Sequence, residues 1–190
     1  MSFAEEYLNE TRAIIDQLDY EQIEAIAQGI AGVRRLFILG VGGSAATASH
    51  AVNDFRKICG VEAYAPTDNV AELTARTNDN GWGTTFVDWL KVSKLDSDDG
   101  VLILSVGGGD SHGASPNLAE AIKYARRTLG IEKGIGATIF GIVSRDGGYT
   151  KRFGDRVLVI PPLYENRITP HTEGLCSVIL HLIVSHPALS

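Results

Sequence analysis

His50 and Asp54 stand four residues apart, and Glu173 and His181 stand eight apart near the other end of the chain. On a helix, an i, i+4 pair shares a face. Eight residues leave two side chains about 80° apart around the axis, near enough to converge on one point. Two imidazoles and two carboxylates make a donor set that zinc or another divalent metal accepts. The same groups can take and return protons. Each pair also has a plainer reading. His50 and Asp54 could be a hydrogen-bonded surface couple, and His181, between Leu180 and Leu182, could be a core histidine.

Two glycine-rich segments offer a second kind of chemistry. Gly40-Val41-Gly42-Gly43-Ser44 follows the apolar run 36–39 and precedes the helical run 45–55. This reads as strand, glycine turn, helix, with Ser44 at the N-cap. The first turn of such a helix presents unpaired N–H groups to an anion. Ala45 breaks a dinucleotide fingerprint and no Gly-Lys-Ser/Thr follows, so a nucleotide is not expected. A tight strand-to-helix turn without a ligand is the alternative. The second segment, 105–115, combines Gly107, Gly108 and Gly109 with the hydroxyls of Ser105, Ser111 and Ser115. Backbone and hydroxyl donors ahead of a helix suit a phosphate, although the same composition fits a surface loop. Asn78 and Asp79 could bond a sugar hydroxyl or simply form a turn.

The surrounding elements alternate. Residues 3–18 and 20–30 read as amphipathic helices. Strands are expected at 36–39, 61–65, 101–106, 137–143 and 156–160, and helices at 45–55, 69–76, 84–92, from 116, from 149, and at 169–184. Turn formers at 77–81 should break the helix at 69–76, and 96–100 reads as a solvated acidic loop. Alternation of this kind implies an α/β three-layer sandwich around a five-stranded parallel sheet, order 2-1-3-4-5, plus two N-terminal helices. Ligands of such sheets bind beyond the strand carboxyl ends where the order reverses, which places both glycine loops together.

The 190 residues, 44% hydrophobic and 21% charged, suit one domain with a full core. A net charge of −6 argues against nucleic acid as a partner. No apolar run approaches the ~18 residues of a membrane span, and the acidic start is unlike a secretory signal. Cys59 and Cys176 form no CxxC and read as reduced cysteines of a cytoplasmic protein.

These residues resemble the sugar isomerase (SIS) domain family, and within it the phosphoheptose isomerases. The family's GNGGSAADAQHFAAEL loop is similar to residues 40–55 here, its ANDxG segment to 77–81, and its STSGNSxN loop to 105–108 resuming at Ser115. Its GxDGG turn is similar to 144–148, and its closing RIQExHxxxxH helix to the stretch containing Glu173 and His181. The match spans nearly the whole chain, with residues 1–32 as a helical extension used in oligomer packing.

The resemblance implies an intramolecular oxidoreductase that converts sedoheptulose 7-phosphate to D-glycero-D-manno-heptose 7-phosphate through an enediol. It implies zinc on His50, Asp54, Glu173 and His181, with Asp54 as base and His181 as acid. Asp79 would assist from a neighbouring subunit of a homotetramer. Substrate and phosphate contacts would come from Gly42, Gly43, Ser44, Asn78, Ser105, Gly107, Gly108, Ser115 and Glu173. The chain departs from the family pattern at Val41 (asparagine), Asp54 (glutamate), Glu173 (glutamine) and Gly107 (serine), and residues 109–114 look inserted. The alternatives are a non-catalytic phosphosugar-binding or adaptor module, and an isomerase for a different phosphosugar.

Overall fold

The computed structural model describes residues 1–127 and 136–190. Five parallel strands form one sheet: β1 (Arg35–Gly40), β2 (Glu62–Tyr64), β3 (Gly100–Ser105), β4 (Thr138–Val143) and β5 (Arg156–Val159). Their order is β2-β1-β3-β4-β5. The central strands β1, β3 and β4 are almost wholly buried. Such strands read as continuous apolar runs because helices cover both faces.

Two apolar layers flank the sheet. One contains Ile26, Ile30, Leu36, Phe55 and Ile179, from α2 (Tyr20–Ile30), β1, α3 (Gly43–Lys57) and α8 (Ile168–Val184). The other contains Phe37, Phe86, Leu90, Leu118 and Ile122, from β1, α5 (Thr85–Val92) and α6 (Pro116–Arg127). The second N-terminal helix is therefore part of the core. The first, α1 (Phe3–Ile15), is tied differently. Phe3 and Leu8, apolar residues of this helix, are 67% and 55% exposed, whereas Glu10 is buried. Glu10 accepts from Arg167 Nε at 2.8 Å and lies 2.8 Å from His171 Nε2. A polar network fastens this helix to the start of α8. His171 belongs to that network.

Two expectations are corrected. Helix α4 (Val70–Asn80) continues through the turn formers at 77–80 and ends at Gly81, whose φ is 85°. Thr77 donates its hydroxyl to Leu73 O at 2.8 Å, so its side chain bonds back along the helix. The loop at 96–100 is not wholly solvated. Asp99 is fully buried and pairs with Arg35 at 2.6 Å and Arg34 at 3.1 Å. His186 lies 2.8 Å from Glu24 with its side chain 15% exposed. Both cysteines are free, and burial pushes the Cys176 thiol up to about 12.

Candidate active site

β1 ends at Gly40, and α3 starts almost on top of it. A Cβ at Gly40 would fall 2.4 Å from Ser44 O, so only glycine admits this return. The turn is made by Gly42 at φ 63°, ψ −126°, and Gly42, not Ser44, is the N-cap. Ser44 is buried in the first helical turn. No side chain caps α3, and the amides of Gly43 and Ser44 have no intrahelical acceptor.

Seven residues further along α3, His50 faces His181 of α8. The two helices pack side by side, and the ring nitrogens His50 Nε2 and His181 Nε2 are 3.2 Å apart. Asp54 Oδ2 lies 3.0 Å from the first and 3.4 Å from the second. Asp54 Oδ1 accepts from Asn53 Nδ2 at 2.9 Å, which turns the other oxygen toward the imidazoles. Asp54 is buried, while the His50 and His181 side chains are 60% and 58% exposed. His181 is therefore not a core histidine. A cavity of about 220 Å³ opens beside the trio, lined by Thr47, His50, Ala51, Ser177, Leu180 and His181.

The donor set fits a metal ion. The three ligand atoms lie within 4.8 Å of one another. A tetrahedral site with bonds of about 2.0–2.1 Å has ligand–ligand edges of about 3.3–3.4 Å. The separations of 3.0, 3.2 and 3.4 Å come close to that. Glu173, expected as the fourth ligand, is not among the three. Its carboxylate oxygens instead lie 2.6 and 2.7 Å from where a Cβ on Gly43 would stand.

The second glycine loop is built against the turn after β4. Gly108 has φ 71° and its missing Cβ would strike Gly147 O at 1.9 Å. Thr150 donates both its amide and its hydroxyl to Gly108 O, at 3.0 and 2.7 Å. Within the loop, Gly108 N donates to Ser105 Oγ at 3.1 Å. The Ser105 hydroxyl proton remains free to donate to a ligand. Gly107 borders open space. Residues 110–114 close on themselves through Asp110 N to Ala114 O at 3.0 Å, and Ser115 turns into α6 with φ 58°. Asn78 and Asp79 sit in the last turn of α4, exposed and bonded to each other at 2.8 Å, outside the His50 cluster.

Sequence reasoning missed Asn53, which orients Asp54, and Thr150, which fixes the second glycine loop. A polar residue beside a candidate ligand was the available signal for the first. Nothing local marks the second, because its partner Gly108 is 42 residues away.

The phosphoheptose isomerase of Geobacter sulfurreducens is 31% identical to this chain over 165 residues, covering 84% of the chain and 78% of the relative. The chain belongs to the phosphoheptose isomerase family. A probable phosphoheptose isomerase of Thermoplasma acidophilum is 28% identical over 189 residues, 95% of this chain and 94% of its own length. The phosphoheptose isomerase GmhA of Neisseria gonorrhoeae has the same fold, with a TM-score of 0.80 and 20% identity over 96% of each chain. No family model matches the chain. Among the described residues, no helix is long and apolar enough to cross a membrane.

Proposed function

We propose that the protein interconverts sedoheptulose 7-phosphate and D-glycero-D-manno-heptose 7-phosphate. The observation that carries this reading is the meeting of His50, Asp54 and His181 in one cluster, in a chain of the phosphoheptose isomerase family. The reaction moves one hydrogen between C1 and C2 through an enediol. Asp54 takes the proton from carbon and returns it at the neighbouring carbon. His181 moves a proton at the adjacent oxygens, so that each oxygen changes between carbonyl and hydroxyl.

Zinc is the metal we assign. His50, Asp54 and His181 would hold it, and it would steady the negative charge that develops on the sugar oxygens. The phosphate is assigned to the 105–115 loop, where Ser105, the Gly107–Gly108 backbone and Ser115 supply neutral donors. Binding energy there orients the reacting end of the sugar some distance away. Asp79 assists at the site of a neighbouring protomer in a homotetramer, and Asn78 contacts the substrate. A single SIS domain covers 1–190, the exposed face of α1 within the extension 1–32 serves that assembly, and two free thiols accord with a cytoplasmic setting.

The test is conversion of sedoheptulose 7-phosphate by the purified zinc-loaded protein, followed by separation of the two sugar phosphates. Turnover supports the isomerase. Binding of the sugar phosphate without turnover points instead to a non-catalytic phosphosugar-binding module, and turnover of another sugar phosphate alone would reassign the substrate.

A further inference from the structure

Arg145 holds a backbone conformation that arginine seldom takes. It is the second residue of a tight turn, 144–147, closed by Gly147 N donating to Ser144 O at 2.9 Å. Its φ is 53°, in the left-handed region where glycine is favoured at that turn position. Glycine would take the same φ without steric cost. Strain of this kind gathers at ligand-binding sites. The side chain is exposed, and among the described residues it has no hydrogen bond, ion pair or ring contact. The other arginines whose side chains are described each have one. Arg152, for example, covers Phe153, and Arg156 donates to Ala25 O. Asp146, next in the chain, is occupied by Gly148 N at 3.1 Å. Lys151, one turn into α7 (Gly148–Phe153), lines a groove with Asp19 and Asp155 instead.

The place of the turn decides what the guanidinium can reach. β3 and β4 run parallel with Ser105 opposite Val143. The pairing continues one step past the strands, where Ser144 N donates to Val106 O at 3.1 Å. At the other end of the turn, the Gly147 carbonyl is the atom that excludes a Cβ from Gly108. Arg145 is thus held between contacts to Val106 and Gly108, level with Gly107, which borders open space. Neighbouring strands lie about 4.8 Å apart. A long, unpartnered cation therefore stands about one strand spacing from a loop whose own donors are all neutral. A phosphate monoester is largely a dianion at neutral pH. Amides and hydroxyls bond it without balancing its charge, in a chain whose net charge is −6. A guanidinium does both, and its paired N–H groups match phosphate oxygens.

We propose that Arg145 pairs with the phosphate group of the substrate from the turn after β4, and that it selects phosphorylated over unphosphorylated sugar. This deepens the phosphosugar reading above and rests on it. The loop after β3 supplies position through neutral donors, and Arg145 supplies the charge. Its work is binding, and proton transfer stays with Asp54 and His181.

Calorimetry on the zinc-loaded full chain reads the Kd for sedoheptulose 7-phosphate, melting curves report the fold, and turnover is recorded separately. Arg145→Ala should raise that Kd about tenfold, the effect of losing a hydrogen bond between charged groups. Arg145→Lys should recover part of the loss, because it restores the charge without the paired donors. Added salt should narrow the gap between wild type and Arg145→Ala, since an exposed charge is screened. Arg145→Gly should bind as weakly as Arg145→Ala yet melt no lower than wild type, because it relieves the backbone. The loss should appear in KM, with kcat within about threefold of wild type. A Kd for Arg145→Gly within about twofold of wild type would overturn the proposal. Weak binding by Arg145→Gly together with a lower melting temperature would make Arg145 a structural residue and overturn it as well. Wild-type protein that binds the sugar phosphate without turning it over removes the isomerase reading, and the Kd ratios still judge Arg145. Wild-type protein that does not bind it removes both.

Discussion

His181 Nε2 lies 3.2 Å from His50 Nε2, although the residues are 131 positions apart in the chain. Two imidazolium rings that close would repel. The arrangement suits a shared positive centre, with the Asp54 carboxylate balancing its charge. His50→Ala and His181→Ala should therefore each lose zinc in a metal analysis and lose turnover by about 100-fold or more. Both side chains are more than half exposed, so thermal unfolding of the zinc-free variants should match zinc-free wild type within about 0.5 kcal/mol. A large loss of apo-protein stability would mean that the pair is structural.

Chelation should act on the same trio. Removing zinc from wild type should abolish turnover and lower the melting temperature, since a ligand that binds only the folded state stabilises it. Re-adding zinc should restore both. Full activity after exhaustive chelation, checked by metal analysis, would count against a metal-assisted site.

Asp54→Asn keeps the shape and the bond from Asn53 but removes the charge and the proton-accepting capacity. Turnover should fall by about 10²–10⁴. Asn53→Ala should be milder, because it only frees Asp54 Oδ1 from its donor at 2.9 Å. Its loss should appear mainly in kcat, with KM little changed, if the amide serves to aim Asp54 rather than to bind the sugar. Steady-state kinetics on both variants checks this pair of expectations.

The frame around these residues was legible because it is written in local patterns. The apolar run before Gly40 is buried on both faces, as β1 must be in a sheet covered by helices. Residues 20–30 carry one apolar face and form α2 with those bounds. The convergence of His50, Asp54 and His181 was suggested by helical spacing and the family resemblance. What escaped depended on partners far away. Ser44 looks like a cap, but the close return over Gly40 comes with a positive φ at Gly42, which moves the helix start back by two residues. Asp99 sits in an acidic run, and only the fold brings Arg34 and Arg35 onto it. The reach of Glu173 to Gly43 depends on how α8 packs along α3, which no spacing within one helix specifies.

Asp99 should be among the costliest single positions outside the apolar core. It is fully buried, pairs with two arginines, and also accepts from Asp96 N at 2.9 Å. Asp99→Ala removes one partner of a buried ion pair and should destabilise the fold by about 3 kcal/mol or more. Urea unfolding of the variant measures this, and a change below about 1 kcal/mol would show that Arg34 and Arg35 are adequately solvated without it.

The network at the start of α8 should give the protein an acid-sensitive joint. Hydrogen bonding from Arg167, opposed by burial and reinforced by His171, holds the Glu10 carboxyl below its ordinary 4.5. A carboxyl whose pKa is lower in the folded state binds fewer protons there than in the unfolded chain. Its contribution to stability is thus complete above 4.5 and is lost as pH falls through the lower folded value. Wild-type melting temperature should decline on acidification through that window. Glu10→Gln should start lower at neutral pH, because Arg167 loses its charged partner, and should decline less steeply in acid. Melting curves for both proteins from neutral pH down to about 3 make the comparison. Parallel curves would show that other carboxylates, not Glu10, govern the acid response, whereas converging curves assign it to the contact between α1 and α8.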